Sequence, residues 1–170
     1  NLLIIGSEPR YEAALLDARI RKSWLENNIN IARIGGGDKA SYNINELGDD
    51  VKIIEQIFKG KHSYNKILEK SNKTLFLIGE SVLNREDGSG ILGRIRDIAK
   101  KYNSYSDKWN GIGVLHTSAN RVGALEAGFV PGEGGLNTSE IIEGTKNRKI
   151  KLLWLLGYDE EIIEKDSSAF

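Results

Sequence analysis

Five short apolar runs punctuate the chain, and longer stretches with helical spacing separate them. Leu2-Leu3-Ile4-Ile5-Gly6, Leu75-Phe76-Leu77-Ile78-Gly79 and Leu152-Leu153-Trp154-Leu155-Leu156-Gly157 are continuous apolar segments that each stop at glycine. Runs of this length without alternation read as parallel strands covered on both faces. Residues 29–34 form a fourth run, in which Asn30 and Arg33 imply one less protected face, and residues 113–116 form a fifth. Between them, residues 12–27 carry Ala13, Leu16, Ile20 and Trp24 on one stripe, with Arg10, Arg19, Arg21 and Lys22 on the wet side. Pro9 suits the start of that helix. Shorter helical patterns span residues 51–58, 63–71, 90–102, 118–127 and 138–143. The alternation predicts an α/β fold: an open, mostly parallel, doubly wound Rossmann-like sheet with helices on both faces. The glycine-rich stretch 128–135 is the best internal boundary. It separates an α/β body, residues 1–130, from residues 131–170, which hold a linker, a last strand and a helix continuing into a further domain.

Composition narrows the function classes. Of 170 residues, 24 are basic and 24 acidic, so the formal net charge is zero and no electrostatic footprint for nucleic acid exists. The chain has no Cys and two His, His62 and His116. Disulfides, thiolate zinc sites, iron–sulfur ligation and multi-histidine metal sites are therefore excluded within these residues. No apolar stretch approaches the roughly 20 residues of a membrane span, and no signal peptide is visible. With no Met and an opening directly on an apolar run, the sequence reads as a piece of a longer protein.

Candidate chemistry gathers at the ends of the apolar runs. Gly6-Ser7-Glu8-Pro9-Arg10 and Gly79-Glu80-Ser81 lie where an α/β sheet binds ligands. Against a phosphate site, no G-x-G-x-x-G follows Ile5, and Glu8 would repel an anion; the glycines then simply turn the chain. Gly35-Gly36-Gly37-Asp38 offers a second anion cradle but lacks the Lys-Ser/Thr ending of a P-loop. The pairs Asp49-Asp50 and Glu86-Asp87 fall at helix starts, where acidic residues cap helices. His116 reads as a hydrogen-bonded structural histidine and His62 as a surface residue. Trp24 and Trp154 read as core, and Trp109 as the one aromatic placed to meet a partner. Arg19, Arg21 and Lys22 make a basic helix face, either solvated or a docking surface.

Gly6-Ser7-Glu8-Pro9-Arg10-Tyr11-Glu12-Ala13, continued by Ala18-Arg19-Ile20-Arg21-Lys22, resembles the strand–loop–helix of the molybdopterin oxidoreductase superfamily. Leu47-Gly48-Asp49, Arg85-Glu86-Asp87-Gly88, Trp109-Asn110-Gly111, Arg121-Val122-Gly123-Ala124-Leu125-Glu126 and Leu155-Leu156-Gly157-Tyr158-Asp159-Glu160 follow in consistent order. Taken as a series, they are similar to the central, molybdopterin oxidoreductase-like domain of one family of subunits, the large iron–sulfur subunits of respiratory complex I, the NADH–quinone oxidoreductase. The resemblance covers nearly the whole chain.

That resemblance implies a part of the large iron–sulfur subunit of an enzyme that moves electrons from NADH to quinone and pumps protons. Its 2Fe-2S and 4Fe-4S clusters belong to an N-terminal ferredoxin-like region not present in this sequence. Partners implied are other peripheral-arm subunits of complex I, on the cytoplasmic side of a bacterial inner membrane (the matrix side if mitochondrial), with no membrane insertion. Superfamily enzymes bind a molybdopterin guanine dinucleotide at these strand ends. Here Glu8 stands where asparagine is usual, and Ile34-Gly35-Gly36 replaces a D-P-R-like turn. The expectation is thus a structural domain with no catalytic residue, metal or cofactor of its own. Ser7, Arg10, Gly35 and Gly36 mark a vestigial cleft, and Arg19, Arg21, Lys22 and Trp109 a possible docking surface. The alternative is a piece of an active molybdopterin-dependent oxidoreductase.

Overall fold

The computed structural model describes residues 1–38 and 40–157. In chain order the elements are β1 (Leu2–Ile5), α1 (Pro9–Glu12), α2 (Ala14–Asn27), β2 (Ile31–Ile34), β3 (Asn45–Gly48), α3 (Lys52–Phe58), α4 (Asn65–Glu69) and β4 (Leu75–Gly79). They continue as α5 (Glu80–Leu83), α6 (Gly88–Lys101), β5 (Tyr105–Ser106), β6 (Trp109–Asn110), β7 (Ile112–Leu115), α7 (Arg121–Glu126) and α8 (Thr138–Lys146). The chain divides into two units, Asn1–Ala119 and Asn120–Phe170.

In the first unit, five strands form one parallel sheet in the order β3-β2-β1-β4-β7. The chain starts in the middle with β1, winds outward through β2 to β3, then returns to β4 and β7 on the other side. The direction of winding thus reverses between β1 and β4. This is the doubly wound α/β architecture that the apolar runs predict. Because successive strand side chains point to opposite faces, β1, β2 and β4 each supply both cores. Leu3, Ile5, Ala32, Ile34, Phe76 and Ile78 pack with Ile53, Ile57, Tyr64, Leu68, Ile95 and Ile98 from α3, α4 and α6 and the chain before α4. Leu2, Ile4, Ile31 and Leu77 face the other way, against Ile20 of α2 and Tyr42.

Several elements depart from the pattern reading. The expected helix over 12–27 is broken at Ala13, which takes φ −153° and ψ 68° between α1 and α2. β3 was hidden because Asn45-Glu46-Leu47-Gly48 holds one large apolar residue; it is an edge strand whose residues are exposed or half-buried. The two-residue strands β5 and β6 pair as a hairpin too short for a periodic signal. Arg33 does not mark a less protected face: it is 5% exposed.

The second unit contains α7 and α8. Asn137 caps α8, accepting from the Glu140 N–H at 3.0 Å while Glu140 reaches back to the Asn137 N–H at 2.8 Å. The expected last strand at 152–156 is not a strand, and Trp154, expected in the core, is 81% exposed. Apolar content suits such a run to a sheet interior but cannot supply the neighbouring strands whose backbone groups it needs. Among the described residues of this unit no strand is present to pair with it. The expected final helix, with Tyr158, Asp159 and Glu160, lies outside the described residues.

Candidate functional site

The winding reversal leaves a crevice beyond the carboxyl ends of β1 and β4, the position where open α/β sheets take ligands. Gly6 follows β1 with φ +57° and Gly79 closes β4. A Cβ on Gly79 would run into the Gly6 carbonyl, so the two turns can meet only without side chains. Ser81 Oγ donates to that same carbonyl at 2.6 Å. Gly6 N–H donates to the Ile34 carbonyl at 2.9 Å, and Gly35 N–H to the Gly48 carbonyl at 3.0 Å. Four strand ends are thereby stitched side by side. Next to them lies a cavity of about 250 Å³, lined by Gly6, Gly35, Asp49, Ser81, Val82 and Arg85 above the apolar Ile5, Ile34, Ile54 and Ile91.

The polar groups around these turns are already engaged with one another. Buried Ser7 donates from Oγ to Glu12 Oε2 at 2.8 Å, and the Glu8 N–H donates to Glu12 Oε1 at 2.8 Å. Glu8 in turn accepts the Asp38 N–H at 3.3 Å. Tyr11 donates its hydroxyl to Asp38 Oδ2 at 2.9 Å, and this bond to a carboxylate raises the Tyr11 pKa. Arg33 lies beneath the glycine run. Its Nε donates to both Glu46 oxygens at 3.1 Å, and its Nη2 to the carbonyls of Gly37 at 3.1 Å and Asp38 at 3.3 Å. The Glu46 hydrogen bond holds the guanidinium even more firmly protonated. Arg85 beside the cavity is paired to Asp87 at 2.7 Å, which holds that carboxyl below its usual range.

A dinucleotide's pyrophosphate needs free N–H donors and uncommitted cations. At the β1 turn, Glu12 occupies the Ser7 and Glu8 donors, while Glu8, Asp38 and Asp49 add negative charge around the same turns. The β1 turn therefore offers a pyrophosphate neither the Ser7 hydroxyl nor the Glu8 N–H. These bonds tie the β1 turn to α1 and to the chain after β2.

Of the sequence-predicted cleft residues, Ser7, Gly35 and Gly36 are brought together, since Gly35 packs on Gly6 and Gly36 on the Asp49 carboxylate. Arg10 is exposed on α1, its guanidinium 5.9 Å from the Tyr11 ring centre. Arg19, Arg21 and Lys22 are exposed on α2, with Lys22 3.8 Å from Glu26. Trp109 is apart from them on the β5–β6 hairpin, half-buried, with the Lys73 ammonium 4.6 Å from its ring centre and no partner for its buried Nε1. Asp50 caps α3 as expected, accepting the Lys52 N–H at 2.8 Å, whereas Asp87 spends its carboxylate on Arg85. His62 is half-buried and accepts the Tyr64 N–H through Nδ1 at 3.2 Å. His116 departs from expectation: its Nδ1 is enclosed without a hydrogen bond. Among the described residues, no three His, Cys, Asp or Glu side chains are placed to hold a metal ion. None of the described helices is long and apolar enough to cross a membrane.

Sequence reasoning gave no individual role to three participants. Glu12 entered only as part of the strand–loop–helix motif, with no role of its own. Glu46 lay outside any predicted element. Glu80 is 5% exposed and its Oε2 accepts both the Thr117 N–H at 2.7 Å and the Thr117 hydroxyl at 2.5 Å, tying the end of β4 to the end of β7. For Glu46 the available signal was its counterpart, a lone arginine inside an apolar strand.

A parallel sheet wound outward in both directions from β1, with its crevice at the reversal, defines a doubly wound, Rossmann-like α/β domain. The chain belongs to the molybdopterin oxidoreductase family, whose model matches residues 2–170. Within it, the chain is 38% identical over 170 residues to the "NADH-ubiquinone oxidoreductase 75 kDa subunit" of Reclinomonas americana, covering 99% of this chain and 24% of that protein. It is 36% identical over 168 residues to a subunit of the NADH-quinone oxidoreductase of Rickettsia conorii and to that of Rickettsia prowazekii, covering 99% of this chain and 23% of each. The similarity to a subunit of NADH–quinone oxidoreductase that the motif series carried is thus borne out. The chain spans less than a quarter of the length of these relatives.

Proposed function

We propose that residues 1–170 form a cofactor-free structural domain in the large iron–sulfur subunit of a proton-translocating NADH–quinone oxidoreductase. In this reading, electron transfer belongs to 2Fe-2S and 4Fe-4S clusters held by other parts of the polypeptide. The domain contributes no catalytic residue and no metal. It packs among peripheral-arm subunits on the cytoplasmic side of a bacterial inner membrane, or the matrix side of a mitochondrial one, and Arg19, Arg21, Lys22 and Trp109 are its proposed contacts.

The observation that carries the reading is the Glu12 carboxylate, bonded to the Ser7 hydroxyl and the Glu8 N–H at the turn where a nucleotide phosphate would sit. Ser7, Gly35 and Gly36 are then the remnant of a cleft closed by the protein's own carboxylates, with Arg10 outside it on α1. The test is to purify the full-length subunit in its complex and quantify molybdenum, tungsten and released pterin per protein. We expect iron and acid-labile sulfide but far less than one pterin per chain. Stoichiometric pterin would overturn the scaffold reading and favour an active molybdopterin-dependent oxidoreductase. Absence of the subunit from any NADH-oxidising complex would overturn the assignment to that enzyme.

A further inference from the structure

α2 is apolar on two opposite sides, and among the described residues only one of them is packed against a partner. Leu16, Ile20 and Trp24 recur at four-residue spacing and pack on the sheet. On the opposite side, Leu15, Ala18, Lys22 and Leu25 recur at three- and four-residue spacing, which stacks them in one stripe. Leu15 is 85% and Leu25 60% exposed. Large apolar side chains left exposed together on one helix face mark a contact surface.

The charges around the outer stripe are one-sided. At 100° per residue, Arg19 and Arg21 fall on either side of it and Lys22 lies within it. The acidic residues nearby are mostly turned elsewhere: Asp17 accepts the Tyr42 hydroxyl at 2.6 Å, and Glu12 serves Ser7 and the Glu8 N–H. Among the described residues of α2, Glu26 is the carboxylate on the outer face, 3.8 Å from Lys22. Three cations and one carboxylate thus surround two exposed leucines. An apolar centre with an arginine rim is the composition of a protein–protein interface core, and its complement is an apolar segment edged by carboxylates.

We propose that the outer face of α2 is a docking surface for an acidic, apolar-centred segment of a neighbouring protein subunit, with Leu15 and Leu25 as the buried anchors. Arg19 and Arg21 set orientation and partner choice. This rests on the reading that the chain is part of a multisubunit enzyme.

Two measurements on the full-length subunit in its assembled complex test it. A photoreactive benzoylphenylalanine placed at position 15 is expected to cross-link to a second subunit, at a peptide rich in Asp and Glu. The same group at Lys66, exposed on α4 against the opposite face of the sheet, serves as control. Cross-links from position 15 that stay within the subunit's own polypeptide, fall on a basic segment, or do not form at all would overturn the proposal while leaving the scaffold reading intact. In parallel, Arg19→Glu with Arg21→Glu is expected to lower incorporation into the complex roughly tenfold, with the thermal midpoint of the isolated subunit unchanged. Arg19→Lys with Arg21→Lys should restore most of it. Unchanged incorporation of the charge-reversed variant would overturn the proposal. A wild-type subunit absent from any complex would overturn both readings together.

Discussion

The two faces of the sheet use the same strands and are built by different means. On the α3–α6 side, aromatic and branched side chains fill a continuous dry layer. Its central polar group, Asn65, is fully spoken for, donating from Nδ2 to the Ile57 carbonyl and to the Tyr102 hydroxyl, both at 2.7 Å. On the α2 side the apolar layer is thin, and specific polar links carry more of the attachment: Arg33 to Glu46, Tyr42 to Asp17. Dry packing resists change because neither water nor an alternative geometry replaces lost contacts. Polar links at a half-wet face are cheaper to lose, since the freed partners can turn to solvent. The thin side is also the one from which α2 shows its unpaired leucines.

The sharpest way to break this comparison is to open a cavity in the thick layer. Phe76 is 0% exposed, and Phe76→Ala is expected to cost about 3–5 kcal/mol in denaturant unfolding. Arg33→Met keeps a long side chain but removes the fork to Glu46 and the glycine-run carbonyls. Because Glu46 is half-exposed, a loss of about 1–3 kcal/mol is expected, with local amide exchange at residues 35–38 rising first. A loss equal to that of Phe76→Ala would erase the distinction between the faces.

Tyr42→Phe should cost about 1 kcal/mol at neutral pH and reshape the alkaline limb of stability. Burial first, then the bond to Asp17, raises the Tyr42 hydroxyl above its ordinary 10.0. The folded state therefore holds this proton more tightly than the unfolded chain. Its contribution is complete below pH 10.0 and is lost as pH climbs through the raised value. The variant should unfold less steeply above that pH, retaining the part of the slope due to buried Tyr64, which burial also raises. An unchanged alkaline slope would mean the α2 side is open to water at Tyr42.

The smallest effect is expected at the surface of the thick side. Glu55 is held below its ordinary 4.5, first by the hydrogen bond from Lys59 and also by Arg94, 3.0 Å away. That contribution is present above pH 4.5 and fades as pH falls through the lowered value. Glu55→Gln should flatten acid unfolding slightly; a large flattening would show that the pair, not the packing beneath it, holds α3 to α6.

β1, β2 and β4 were legible because each is a short apolar run inside the sheet, and β7, at the edge opposite β3, because Val114 and Leu115 keep its run apolar. The family was legible from a series of short motifs in consistent order, from Gly6-Ser7-Glu8-Pro9-Arg10 to Leu155-Leu156-Gly157, rather than from any one of them. β3, the break at Ala13 and the exposed 152–156 run were not. An edge strand needs little hydrophobicity, a helix break follows from which carboxylate reaches which N–H, and an apolar run becomes a strand only beside another strand.

By itself the sequence determined the fold class, the absence of thiolate chemistry and the position of the strand-end turns, because these depend on residue type and local spacing. The tertiary structure alone decided that Glu12 closes the β1 turn, that Arg33 finds Glu46, that Glu80 binds Thr117, and that one side of α2 is left uncovered. Each of these joins groups from separate elements or depends on which face a helix turns inward. Such relations are settled by the register of strands and the path of the chain, which no local pattern of residues contains.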